Sequence, residues 1–220
     1  MTAAPVSSSQ IEWFHSIELP EGITQGRAPI KAYQDRADVI FKDGVAGLDV
    51  LDVGSWDGYY AFDAEKRGAR RVLATDWFCW SGPGESSKAG FDYAKRALGS
   101  RVEEREIDVM DLCKESVGEF DVTLFLGVIY HIRYPLFVFD RLAALTRKTI
   151  VLETYMGLEE MEEPTALFFP GWRKPNGPTM GWGWNTAMVE AACRDAGFNR
   201  IERTPTPDEP GNRAIFHAHR

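Results

Sequence analysis

The stretch Leu48–Ala61, LDVLDVGSWDGYYA, constrains the fold more than any other part of the chain. Asp49–Val53 is mostly aliphatic and β-branched and reads as a strand buried on both faces, as strands of parallel sheets are. Gly54, Ser55, Trp56, Asp57 and Gly58 follow as a breaker cluster, and Tyr59–Arg67 resumes with helical spacing. Strand, glycine turn and helix form the opening unit of an α/β domain that binds a nucleotide or nucleoside outside the carboxyl ends of its strands. Gly54 can take a backbone conformation closed to other residues and lets a ligand approach the main chain, while Gly58 permits close helix–strand packing. The helix N-terminus behind them offers unpaired N–H groups and a positive dipole end. An ordinary tight turn between strand and helix would use the same residues without a ligand.

A second acidic position narrows the choice. Arg71–Thr75 reads as another buried strand, with Asp76 at its end, twenty-two positions beyond Gly54. A carboxylate at that tip accepts both ribose hydroxyls of a bound nucleoside, and the plainer reading is a loop solubiliser or helix cap. The glycine spacing is not the dinucleotide G-x-G-x-x-G but Asp52-x-Gly54-x-Trp56-x-Gly58. With its acidic residue two before the first glycine, it resembles motif I of class I S-adenosylmethionine (SAM) methyltransferases. SAM carries no phosphate. It brings a sulfonium and a cationic amino-acid tail, which a nearby carboxylate suits. The cofactor-binding residues expected from the resemblance are Asp52, Gly54, Trp56, Gly58, Asp76 and Trp77. To these are added Asp108, Val109 and Met110 at the tip of a third strand, and Gly127.

The other elements follow in order. Met1–Gln10 is small and polar and is expected to be a disordered tail. Residues 11–45 form an N-terminal cap segment and helix. Ile11–Ile30 is irregular, with Pro20, Gly22, Gly26 and Pro29 among the aromatics Trp13 and Phe14, and Lys31–Lys42 reads as helical. It is either a strap over the sheet edge or a cap over the ligand pocket. Residues 46–220 make the main domain. Ser86 or Ser87 is placed to cap a helix running to Leu98. Arg101–Ile107 reads as the third strand. Asp108 at its end is placed to accept from an adenine amino group and Met110 to pack on the ring, unless this is an ordinary strand end. Phe120–Leu126 is the fourth strand, followed by Gly127-Val128-Ile129-Tyr130-His131 where ligands of open α/β sheets bind. Pro135–Leu145 is a helix and Thr149–Leu152 the fifth strand. Tyr155–Asn185 is rich in Gly, Pro and aromatics, including Phe168, Phe169, Trp172, Trp182 and Trp184. At about thirty residues it exceeds ordinary loop lengths and reads as a lid, its aromatics lining an acceptor pocket or packing on the sheet. Thr186–Ala196 is a helix stopped by Gly197. Asn199–Thr204 and Arg213–Ala218 close the chain as an antiparallel hairpin.

Taken together, DVGSWDGYY, ATD and GVIYHIRYPL resemble the class I methyltransferase family typified by tRNA wobble-uridine carboxymethyl- and methoxyuridine-type methyltransferases. The resemblance runs from about Trp13 to the C-terminus. GVIYHIRYPL is its most specific piece, and VLET (Val151–Thr154) and RAIFHA (Arg213–Ala218) also match. It implies a Rossmann-like seven-stranded sheet whose last strand is antiparallel. In the carboxymethyl branch the cofactor is carboxy-SAM, and its extra carboxylate is held by a lysine, a tyrosine and an arginine. Tyr130 and Arg213 match the last two, and His15 stands where the lysine would be. Histidine supplies no fixed charge, so ordinary SAM is expected.

These readings predict methyl transfer from SAM to a hydroxyl of a small-molecule acceptor. His131 is the first choice as base, His15 the second, and Tyr130 orients the acceptor or the methyl group. Trp13, Arg213, Trp172, Trp182 and Trp184 are expected to bind substrate. A tRNA wobble uridine is the rival acceptor, and a SAM-binding module without catalysis is the third reading. The net charge of −8 disfavours tRNA, since Arg70, Arg71, Lys88, Lys95 and Arg96 are the only dense basic residues. Cys79, Cys113 and Cys193 are odd in number and lack zinc spacing, so they are read as reduced thiols, with no metal expected. No apolar run of membrane-spanning length and no signal segment is read, and the expected location is cytoplasmic.

Overall fold

A computed structural model describes residues 7–83, 87–171 and 180–220. Seven strands form one sheet in the order β10-β11-β7-β6-β3-β4-β5. In chain order the elements begin with a short antiparallel pair, β1 (Glu18–Leu19) and β2 (Gly22–Ile23), inside the segment expected to be irregular. Then come α1 (Ile30–Ile40), β3 (Asp49–Val53), α2 (Tyr59–Lys66), β4 (Arg71–Asp76), α3 (Ala89–Leu98) and β5 (Glu103–Glu106). The second half carries α4 (Lys114–Val117), β6 (Phe120–Leu126), α5 (Pro135–Leu145) and β7 (Thr146–Tyr155). It ends with β8 (Ala166–Phe168), β9 (Trp182–Trp184), α6 (Thr186–Asp195), β10 (Arg200–Pro205) and β11 (Arg213–His219).

The central strand β3 runs parallel to β4 and β6, and β6 runs parallel to β7. β11 is antiparallel to both its neighbours, β7 and β10, as expected of the last strand. Alternation along β3 sorts two cores. Leu51 and Val53 face α5 and α6 with Phe139, Leu142 and Val189. Val50 faces α1, α2 and α3 with Ala37, Ala61 and Phe91. In α1 the buried residues Tyr33, Ala37 and Ile40 fall on one helical face. Gly99 closes α3 in the left-handed region at φ 60, and Asn185 caps α6 by accepting from the Met188 amide.

Two strands differ from their expected lengths. β5 is shorter than Arg101–Ile107, because it is the sheet edge and all four of its residues are exposed. β7 is longer than Thr149–Leu152, since Thr146 still pairs with Phe120 across an irregular register and Tyr155 pairs with Arg213. The expected tail carries a 3-10 turn, Ser8–Gln10, and Trp13 Nε1 donates to the Ser8 carbonyl at 3.0 Å. The first six residues, Ser86 and Trp172 lie outside the described residues. The lid contains the β8–β9 hairpin, which periodicity did not reveal. Cys79, Cys113 and Cys193 form no disulfide among the described residues.

Candidate active site

The carboxyl ends of β3, β4, β6 and β7 bring most of the expected residues together. At the first turn, Gly54 takes φ 77, and a Cβ there would come within 2.5 Å of Val128 Cγ2. The glycine serves both the left-handed backbone and the close approach of Val128 from the β6 turn. Gly58, at φ 89, would carry a Cβ 2.6 Å from Phe62 and 2.7 Å from Phe91, so the close packing it permits is with the rings of α2 and α3 and not with a strand as expected. Trp56 also lies in the left-handed region, at φ 50. Its ring stacks on Phe14 at 3.9 Å with Arg27 above both.

Three buried carboxylates ring this turn. Asp52 accepts from Ser55 Oγ at 2.6 Å. Asp76 accepts from the amides of Trp56 at 3.0 Å and Cys79 at 2.9 Å. Asp57, which sequence reasoning assigned no role beyond the turn, accepts from the amides of Phe14 at 2.7 Å and His15 at 2.9 Å. Burial pushes the Asp52 carboxyl up to about 7, with Ser55 pulling it back and Asp76 pushing it further. Burial likewise pushes Asp57 up to about 6, against the pull of its two amide donors, and raises Asp76. Among the described residues no lysine or arginine pairs with Asp52 or Asp76. A cationic ligand would supply the missing charge, so this set of acceptors fits a sulfonium cofactor. Trp77 is 37% exposed beside Asp76. Asp108 is half-buried and caps a 3-10 turn by accepting from Met110 N at 2.9 Å, with Val109 and Met110 half-buried beside it.

This charge state has a measurable consequence. A cationic cofactor stabilises the ionised Asp52 carboxyl, so below about pH 7 binding must first expel a proton. Affinity for SAM is expected to rise from pH 6 to pH 8 and then level off. Calorimetry at pH 6.5 in buffers of different ionisation enthalpy is expected to register proton release that Asp52→Asn abolishes. Equal proton counts in the two proteins would contradict this assignment.

At the end of β6, Gly127 takes φ 72 and donates its amide to the Glu153 carbonyl. A Cβ on Gly127 would sit 3.4 Å from Arg213 Nη2 and Glu153 Oε2 and 3.5 Å from Tyr130 OH. Those three side chains form one network. Arg213 donates Nη2–H to Glu153 Oε2 at 2.8 Å and to Tyr130 OH at 2.7 Å, and its Nε–H to Glu153 Oε1. Burial opposes the Arg213 charge, but Glu153 more than offsets it and the guanidinium stays protonated. Burial raises the Tyr130 phenol. Glu153 was not singled out in the sequence, although its place in VLET opposite RAIFHA was the available signal. His131 follows in the 3-10 turn Ile129–His131, half-buried, its ring 4.3 Å from that of Tyr130.

His15 departs from its expected part. It lies among Phe14, Tyr33, Tyr59 and Tyr60, and burial, then the Arg36 charge, lowers it to about 3. It is therefore neutral and weakly basic at physiological pH, which removes it both as stand-in for a lysine charge and as an effective base. Trp13 also differs. It is 6% exposed in the core beside Tyr93, so it anchors the strap instead of lining an open pocket. Trp182 and Trp184 do line a groove of about 360 Å³ with Tyr134, Phe137 and Met188. A smaller cavity, about 200 Å³, lies near Phe41, Leu48 and His219 before the amino end of β3, away from these residues.

No family model matches the chain. It is 28% identical over 173 residues to the tRNA U34 carboxymethyltransferase of Saccharophagus degradans, covering 73% of this chain and 49% of that protein. It is 34% identical over 93 residues to the ubiquinone biosynthesis O-methyltransferase of Acinetobacter baumannii, covering 42% of this chain and 36% of that protein. The chain thus spans half the length, or less, of these curated relatives. Among solved structures it resembles the N-terminal domain of EvdMO1, crystallised in the presence of S-adenosylhomocysteine (SAH) and D-fucose. The TM-score is 0.68 at 22% identity, over 97% of this chain and 93% of that one. It also resembles the 1,6-didemethyltoxoflavin-N1-methyltransferase of Burkholderia thailandensis with substrate and SAH bound. There the TM-score is 0.63 at 19% identity, over 86% and 78% of the two chains. The fold is that of the SAM-dependent methyltransferases. Among the described residues no helix is long and apolar enough to cross a membrane, and no three His, Cys, Asp or Glu side chains gather as a metal site.

Proposed function

We propose that the chain is a SAM-dependent methyltransferase acting on a hydroxyl of a small-molecule acceptor. The observation that carries this reading is the set of buried carboxylates, Asp52, Asp57 and Asp76, around the Gly54 turn, with no matching lysine or arginine at Asp52 or Asp76 among the described residues. Asp76 is the ribose acceptor, Asp52 faces the cationic tail, and Trp77 and Met110 flank the adenine. When bound, SAM supplies a methyl group whose C–S bond breaks as the acceptor's C–O bond forms, leaving neutral SAH. The chain's own work is alignment and proton removal. His131 takes the acceptor's proton. Tyr130, whose oxygen already accepts from Arg213, keeps its own hydrogen free to orient the acceptor. Ordinary SAM is favoured over carboxy-SAM, because Glu153 engages Arg213 and His15 is neutral.

The test is binding of SAH to the wild-type protein and to Asp76→Ala. Loss of a charged hydrogen-bond partner is expected to weaken binding by about 1.5–3 kcal/mol. Unchanged affinity by calorimetry would remove Asp76 from the site.

The likeness to the tRNA U34 carboxymethyltransferase supports a second reading, a wobble-uridine acceptor. With a net charge of −8, few phosphates can be neutralised and little counterion release is available. Binding to tRNA is expected to be weak and to vanish with added salt. A tight, anticodon-dependent complex at physiological salt would promote that reading.

A further inference from the structure

We infer that the groove between the start of α5 and the β8–β9 hairpin binds a planar, mostly apolar ring and so makes the acceptor a substituted phenol rather than a sugar. The inference rests on the methyltransferase reading and deepens it. The groove holds about 360 Å³, within the range of small-ligand sites. Its walls are Tyr134, Phe137, Ala166, Trp182, Trp184 and Met188. Only Arg133 brings a charge to it, and that guanidinium lies 5.3 Å over the Phe168 ring. Tyr134 is 61% exposed and Phe137 45%, an unusual outlay of ring surface at the start of a helix.

Two observations say what belongs there. First, the groove abuts the turn that carries the proposed transfer site. Arg133 and Tyr134 lie two and three positions beyond His131 in the chain. The opposite wall is tied to the same turn, by Gly181 N donating to the Tyr130 carbonyl at 2.8 Å and Trp182 Nε1 to the Ile132 carbonyl at 3.0 Å. A ring seated between these walls lies against the turn that carries His131, the proposed base. Second, Trp184 is 1% exposed and its Nε1–H has no partner among the described residues. A buried donor left unpaired costs free energy, so a ligand oxygen meeting it would be recognised in direction as well as size. The rest of the wall has little to offer the several hydroxyls of a sugar, which would lose their hydration without replacement.

The experiment titrates SAH-loaded protein with 4-methyl-, 4-ethyl- and 4-propylphenol, and with D-fucose as the polar probe. Affinity is expected to rise about fourfold per added methylene, the scale for burying a CH₂. D-fucose is expected to bind far more weakly than any of the three phenols. Phe137→Ala, a change at an exposed position, is expected to lower propylphenol affinity about tenfold and leave SAH binding unaltered. Ala166→Trp, which fills the groove, is expected to abolish phenol binding. D-fucose binding as tightly as propylphenol, or phenol affinity indifferent to both substitutions, would overturn the inference. If SAH itself fails to bind, the cofactor reading falls, and the same phenol titration of cofactor-free protein still decides the groove.

Discussion

Replacing His131 by alanine is expected to lower kcat by about 10²–10⁴ while SAM still binds, the scale for removing a positioned base. The residue stands in the 3-10 turn that follows β6, half-buried, with its ring against Tyr130. A neutral hydroxyl is a poor nucleophile until its proton leaves, so the base is needed in the step that forms the C–O bond. The pH profile of kcat at saturating SAM should lose its acidic limb in the variant, while the fall in SAM affinity that Asp52 protonation brings below about pH 7 persists. A carbon or free-amine acceptor would demand less help and give a smaller effect. Full activity with an unaltered pH profile would reject His131.

Glu153→Ala is expected to be the most destabilising single change at the site. Glu153 has 2% of its side chain exposed and Arg213 17%, and they meet through two parallel N–H···O bonds. Removing one partner of a buried pair leaves the other charged and dry, which costs about 3–5 kcal/mol. For a chain of this size that is a fall in melting temperature on the order of 10 °C. The double variant Glu153→Leu with Arg213→Met removes both charges and should recover most of the loss. Denaturant unfolding of the two single variants and the double one tests this. A Glu153→Ala midpoint within error of wild type would mean that solvent already screens the pair.

Much of the fold could be read from the sequence because its cues are local. The strand at Asp49–Val53, the left-handed glycines and the helix beginning at Pro135 each follow from a few adjacent residues. Asp52 was singled out by its resemblance to motif I, and Asp76 by its place at the tip of the second strand. What escaped notice depends on partners remote in the chain. Glu153 meets Arg213 sixty positions away, and the only signal was that each lies in a segment, VLET and RAIFHA, matching the same family. His15 looked like a group for chemistry beside Trp13. Four surrounding rings and Arg36, brought together only by folding, hold it neutral. Trp13 itself was ambiguous, since an aromatic in an irregular segment serves equally as anchor or as pocket wall. The β8–β9 hairpin has strands of three residues, too short for alternation to register.

The Asp57 clamp ties the folding of the strap to that of the turn. One carboxylate, 1% exposed, gathers two amides from a segment more than forty positions earlier and closes the intervening chain into a ring. Such a ring costs closure entropy once, and after that the two ends report on each other. A chain trimmed to begin at α1 would keep every strand of the large sheet. It would nonetheless leave the Asp57 carboxylate without either donor and strip Phe14 from the face of Trp56. Phe14 and His15 are thus built into the packing of the turn rather than added to it. In the accounting of cooperativity they belong to the same unfolding unit as the turn, and loosening of one end should show as faster amide exchange at the other.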